Sequence, residues 1–150
     1  METPILKYLE ENSMFTLATS TQNIPHCAIC FYVYDEDNNT LIFKSKEVTR
    51  HVQEAIKNKM VAGSITSAYN NITKIKGIQF SGTFKLPLNQ EQIRMQNLYN
   101  LKFPVSKLFP GTIYAVALDY IKMTDNTLGM GKKRIWEKSE TSNKELVENH

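Results

Sequence analysis

Four residues within a seven-residue span carry the chemistry most easily named in this chain: Ser45, Thr49, Arg50 and His51. They fall where the strand-like residues 40–44 give way to a helical pattern, with Val48, Val52, Ala55 and Ile56 recurring at helical spacing. Hydroxyl donors, a guanidinium fork and the free backbone N–H groups of a helix start are together what a terminal phosphate requires. An Arg can grip such a group in bidentate fashion, with Lys46 at its fringe. A capped helix with a solvated basic turn would carry the same residues, so their types alone leave both readings open.

A second chemical run is residues 124–136. Asp125 and Asn126 are turn formers, Gly129 and Gly131 permit backbone angles closed to other residues, and Lys132, Lys133 and Arg134 precede Ile135 and Trp136. Such a segment can close over an anionic planar ligand, or it can lead into a last strand whose Trp packs in an interface. In an extended strand Lys132, Arg134 and Trp136 share one face. His26 and Gln79 are further candidates, each equally explained by packing or by an exposed sheet position.

Other chemistries find no support. Cys27 and Cys30 have C-x-x-C spacing, but in an extended run they point to opposite faces and can neither pair readily nor share a metal. There is no Ser-His-Asp set, no paired-carboxylate motif, no convincing zinc spacing and no glycine-rich nucleotide loop after a strand.

The elements that must position these residues are short. Thr3 and Pro4 open a helix running to about Asn12, with Thr3 as its cap. Strands follow at residues 14–20, 26–34 and 40–44, the first two joined by a turn at 21–23. A helix from Lys46, with Ser45 as cap, leads to a strand at 60–65. Clean alternation from Ile78 to Lys85 marks a sheet with one apolar face, and Gly77 and Gly82 signal a bulge or a close backbone approach. Asn89 and Gln92 form a capping signature for a helix that presents Met95, Leu98 and Tyr99 and ends before Pro104. Residues 112–123 form a long strand, apolar on both faces. This order lacks the alternation of a Rossmann domain and suits a closed or nearly closed antiparallel sheet.

The 150 residues are 41% hydrophobic and 22% charged, which suits one ordinary globular core without staples. A net charge of +3 is too small for a duplex-binding footprint, and no basic aromatic stripe is present, so nucleic acid is not an expected partner. No apolar run approaches membrane-spanning length and the first residues do not resemble a signal peptide, so no membrane association is expected and the cytoplasm is the expected location.

The stretch LIFKSKEVTRH, residues 41–51, resembles the phosphate-binding segment of the pyridoxamine 5'-phosphate oxidase-like flavoproteins. Ser45 stands for that family's strand-end Thr, Thr49 for its Ser, Arg50 for its Arg and His51 for its Lys. A closer similarity runs through Thr49-Arg-His51, residues 75–80 with Gly82, Phe103-Pro-Val105 and residues 124–136; it is to the YhbP-like bacterial group within the same superfamily. The resemblance implies a mainly β, antiparallel FMN-binding split barrel with flanking helices. It implies a homodimer and FMN whose phosphate is held by Ser45, Thr49, Arg50 and His51; residue chemistry adds Lys46, Gln79, Lys132 and Trp136 as cofactor-binding candidates, and length and composition give one domain over residues 1–150 with a loose tail from about 139. The implied function is an FMN-dependent oxidoreductase acting on a small molecule, or alternatively a non-catalytic flavin- or haem-binding module; no catalytic residue or metal ligand is assigned. The change from Lys to His51 implies a phosphate grip that depends on pH, since imidazole is only partly protonated near neutrality.

Overall fold

The computed structural model describes residues 1–68 and 71–139. The expected tail lies almost wholly outside the described residues. Three α-helices and seven strands follow in the order α1 (Thr3–Glu11), β1 (Met14–Thr21), β2 (Ile24–Asp35), β3 (Thr40–Ser45), α2 (Arg50–Lys57), β4 (Met60–Thr66), β5 (Lys76–Lys85), α3 (Asn89–Lys102), β6 (Thr112–Asp125) and β7 (Lys133–Glu137). All pairings are antiparallel, in the spatial order β3-β2-β1-β4-β5-β6-β7. In addition β3 pairs β6 from Thr40↔Ala117 to Ser45↔Thr112, so six strands return on themselves and β7 flanks β6.

The turn between β1 and β2 is two residues long. Gln22 and Asn23 both take left-handed φ values, 51° and 61°, as a tight hairpin between right-twisted strands requires. This brings the start of β2 forward to Ile24. Among the described residues its first half pairs only with β1, so Pro25 removes no ladder bond on the other side. Between β5 and β6 the register shifts at Ser81/Gly82. A Cβ on Gly82 would lie 2.4 Å from the Ala117 carbonyl oxygen, so the expected bulge and close approach coincide there.

Alternation divides β6 between two cores. Tyr114, Val116 and Leu118 face the ring interior with Phe15, Phe43, Phe80 and Phe84, while Ile113 and Ala115 lie with Ile42 beneath Met95 and Tyr99 of α3. That division explains why β6 reads as apolar on both faces. The Arg94 guanidinium bonds the buried Asp35 carboxylate at 2.6 Å, tying α3 to the end of β2.

Three helix starts differ from expectation. Glu2 occupies the cap position of α1 and places Pro4 second, where its missing N–H is equally harmless. Asn89 has φ 55° and makes no capping bond, and Leu88 stands at the cap of α3. For α2, residues 46–49 form a turn first: the Thr49 amide and hydroxyl both bond the Lys46 carbonyl, at 3.1 and 2.8 Å, and the helix begins only at Arg50. Ser45 is therefore not a helix cap, and Val48 is left exposed. No described helix is long and apolar enough to cross a membrane.

Candidate functional site

The turn at residues 46–49 swings the chain from the end of β3 into α2 and brings two of the expected side chains onto the imidazole of a third. His51 Nε2 lies 2.6 Å from Ser45 Oγ and 3.4 Å from Thr49 Oγ1. Burial, and then the nearby His26, hold the His51 imidazole below its ordinary pKa of 6.5, which favours the neutral ring. His26 comes from the inner face of β2, level with Thr19 of β1. Lys46 is exposed on the turn.

Arg50 opens α2 with its side chain 57% exposed. Its Nε donates to Glu54 Oε1 at 3.1 Å, and its terminal nitrogens have no partner among the described residues. Glu54 is buried, and its Oε2 accepts from Thr19 Oγ1 at 2.8 Å. The Thr19 hydrogen bond, followed by the Arg50 contact, outweighs burial and keeps this carboxylate below its ordinary pKa. The first turn of α2 contains no acid, and the first N–H groups of any helix lack intrahelical acceptors. The bend thus presents a free guanidinium fork, Lys46 and a helix start, a surface suited to an anion, with the Thr49 hydroxyl donated to the Lys46 carbonyl and the Ser45 hydroxyl paired with His51.

The other expected site residues lie elsewhere in the same chain. Gln79 is exposed on the outer face of β5, level with Ser64 of β4 and Lys122 of β6. Trp136 is half-buried against the main core, opposite Ile121, nine positions along β6 from Thr112, the partner of Ser45. At about 3.3 Å per residue that is roughly 30 Å. Lys132 is exposed just before β7. Arg134 and Trp136 do share the more buried face of β7, and Arg134 pairs with Glu2 at 2.7 Å. Glu54 and Thr19 were not among the expected residues; the Arg50–Glu54 spacing of four on a helix was a usable signal, whereas nothing local marks Thr19.

The outer face of the sheet is unusual. Across β2, β1, β4 and β5 the outer rows read Ile29–Thr16–Ser64–Gln79 and Cys27–Ala18–Ala62–Ser81. Small side chains fill its middle, and exposed Met14, Ile29, Phe31 and Met60 surround them. Cys27 is exposed on this face and Cys30 buried on the other, both free, as their spacing on a strand implies.

The chain is 33% identical over 134 residues to the UPF0306 protein YhbP of Escherichia coli strain SMS-3-5, covering 89% of this chain and 91% of that one. This protein belongs to the UPF0306 family. The UPF0306 protein of Cronobacter sakazakii is 34% identical over 136 residues, covering 91% and 94%. No family model matches the chain. Three solved structures share the fold of this UPF0306 member at low sequence identity. A haem-binding protein of Mycobacterium smegmatis superposes with a TM-score of 0.72 at 13% identity, over 87% of this chain and 57% of that one. An FAD-binding protein of Mesorhizobium loti gives 0.68 at 14%, over 82% and 94%. A candidate pyridoxamine 5'-phosphate oxidase of Listeria innocua gives 0.63 at 16%, over 80% and 94%. The fold is the antiparallel split barrel of pyridoxamine 5'-phosphate oxidase-like proteins.

Proposed function

We propose that this UPF0306 protein binds FMN at the bend between β3 and α2 and acts, as a cytoplasmic homodimer, as an FMN-dependent oxidoreductase on a small molecule. The observation that carries this reading is the free fork of Arg50 at the start of a helix with no acid in its first turn, one residue after Thr49. The FMN phosphate fits that site, with Arg50 gripping it, Lys46 adding outlying charge, and Ser45 and Thr49 turning their hydroxyls from His51 and the Lys46 carbonyl to meet it. The structural likeness to an FAD-binding protein and to a candidate pyridoxamine 5'-phosphate oxidase supports a flavin. When bound, the flavin would supply hydride or electron transfer, and the protein its position and electrostatics.

The outer face, with small side chains in its middle and exposed Met14, Ile29, Phe31 and Met60 around them, is where a second copy would pack. Gln79 lies on that face, the position from which it would meet a ligand shared between subunits. Lys132 and Trp136 would reach a ligand only across such an interface, and Trp136 already packs on its own core.

Replacing Arg50 with Ala should weaken FMN binding at least tenfold, about the loss of one charge-assisted contact, while Lys85→Ala leaves it unchanged. Flavin fluorescence quenching reads both, and equal affinities would refute the phosphate assignment. The neutral His51 beside His26 and the likeness to a haem-binding protein favour haem as the second reading. The absorption spectrum and native mass of gently purified protein separate the two, a Soret band pointing to haem.

A further inference from the structure

An arginine that grips phosphate must keep both terminal nitrogens aimed outward, and a flexible side chain on an exposed first helical turn does not do so unaided. Here the side of the guanidinium is anchored. Glu54, one helical turn on, takes only the Nε hydrogen through Oε1, and its second oxygen is held by the Thr19 hydroxyl from β1. A carboxylate facing the terminal nitrogens would have consumed the fork; this side-on contact leaves it whole. Glu54 is itself buried beside Ala55 and Val52, both fully enclosed, so the anchor is fixed to the barrel and not to solvent.

Resting on the FMN reading above, we infer that Glu54 and Thr19 are positioning residues, which through the Nε contact fix the Arg50 fork for the phosphate and so make the site select phosphorylated flavin over its unphosphorylated form. The Thr19 hydroxyl satisfies the oxygen that Arg50 does not use, which keeps Glu54 ionised and in its rotamer. Glu54 touches no ligand in this arrangement. Its negative charge lies behind the guanidinium and is already offset by it, so the outward field at the fork stays positive.

The test compares FMN and riboflavin affinities by fluorescence quenching for the wild type, Arg50→Ala, Glu54→Gln, Thr19→Val and Thr19→Ser. Glu54→Gln and Thr19→Val should each lower FMN affinity about tenfold, the loss of one charge-assisted hydrogen bond, and leave riboflavin affinity unchanged; Thr19→Ser should restore FMN binding. If Arg50→Ala weakens FMN but Glu54→Gln and Thr19→Val do not, the positioning role is wrong and the FMN reading survives. If the wild type binds FMN no better than riboflavin, or Arg50→Ala changes nothing, the FMN phosphate reading fails and takes this inference with it. Equal loss of both flavins, with an unchanged circular dichroism spectrum, would make the pair a general support of the pocket and overturn the role. Should Glu54→Gln not fold, Thr19→Val decides, since it keeps the carboxylate.

Discussion

Arg94→Met should be among the most damaging surface-accessible changes in this protein. The Asp35 side chain is only 4% exposed and receives Arg94 Nη2 at 2.6 Å and Asn38 Nδ2 at 2.9 Å. Removing the guanidinium leaves a buried carboxylate with Asn38 as its main side-chain partner. Breaking a fully buried pair costs about 3–5 kcal/mol, but Arg94 is 40% exposed and water screens part of the interaction, so about 2 kcal/mol is expected. With a urea slope of about 2 kcal/mol per molar, the unfolding midpoint should fall by about 1 M with the slope unchanged.

The pH dependence supplies a second reading of the same change. Burial pushes the Asp35 carboxyl up, and the hydrogen bonds from Arg94 and then Asn38 overcome that push and hold it below its ordinary value of 3.8. A carboxylate lowered in this way contributes stability above its unfolded pKa and loses it as pH falls through the folded value. The deficit of Arg94→Met should therefore be full at pH 7 and shrink as the solution is acidified through the carboxylate range. Asp35→Asn combined with Arg94→Met should cost less than Arg94→Met alone, because no charge is then stranded. A loss under about 0.5 kcal/mol at pH 7, or one that ignores pH, would refute the reasoning.

Three further outcomes are expected. Gly82→Ala forces a methyl against the Ala117 carbonyl, which is backbone and cannot rotate away, and should cost about 3 kcal/mol in thermal or urea unfolding. His51, held below its ordinary value by burial and His26, favours the neutral ring in the folded state; stability is full above pH 6.5 and declines as pH falls through it, and His51→Asn should flatten that limb in urea titrations from pH 7.5 to 5. Thiol titration should find Cys30 silent in the folded protein, its pKa pushed up to about 11 by burial, and Cys27 reactive on dilution but protected at concentrations where the proposed dimer forms; a Cys27 rate independent of concentration would argue against that face as the interface.

Much of the strand pattern is local and was legible in the sequence. The alternation from Ile78 to Lys85, the two cysteines on opposite faces and the two-sided apolar character of β6 depend only on strand periodicity and burial. Helix starts were less so, because capping depends on where the preceding chain leaves its hydroxyls. Thr49 spends its hydroxyl on the Lys46 carbonyl, and Ser45 spends its own on His51. The pairing of β3 with β6 joins residues about 70 positions apart and has no local signature. Within the site, Ser45, Thr49 and His51 are close in sequence and meet in space, while the Arg50 side chain turns to Glu54. Gln79, Lys132 and Trp136 were suggested by residue type and strand alternation, and one chain alone keeps them apart from the bend.

Because Ser45 is the last residue of β3 and pairs with Thr112, the bend hangs on the seam where the two ends of a long chain segment are sewn together. Until that seam forms, the strand that feeds the turn has no fixed partner on its outer side and the donors gathered around His51 have no shared frame. A bound anion would therefore act as a clasp, adding about 2.7 kcal/mol to closure at a hundredfold excess over its Kd. Ligand occupancy and ring integrity would then be a single equilibrium, and the melting temperature of the whole molecule would gauge whether an anion sits at this bend.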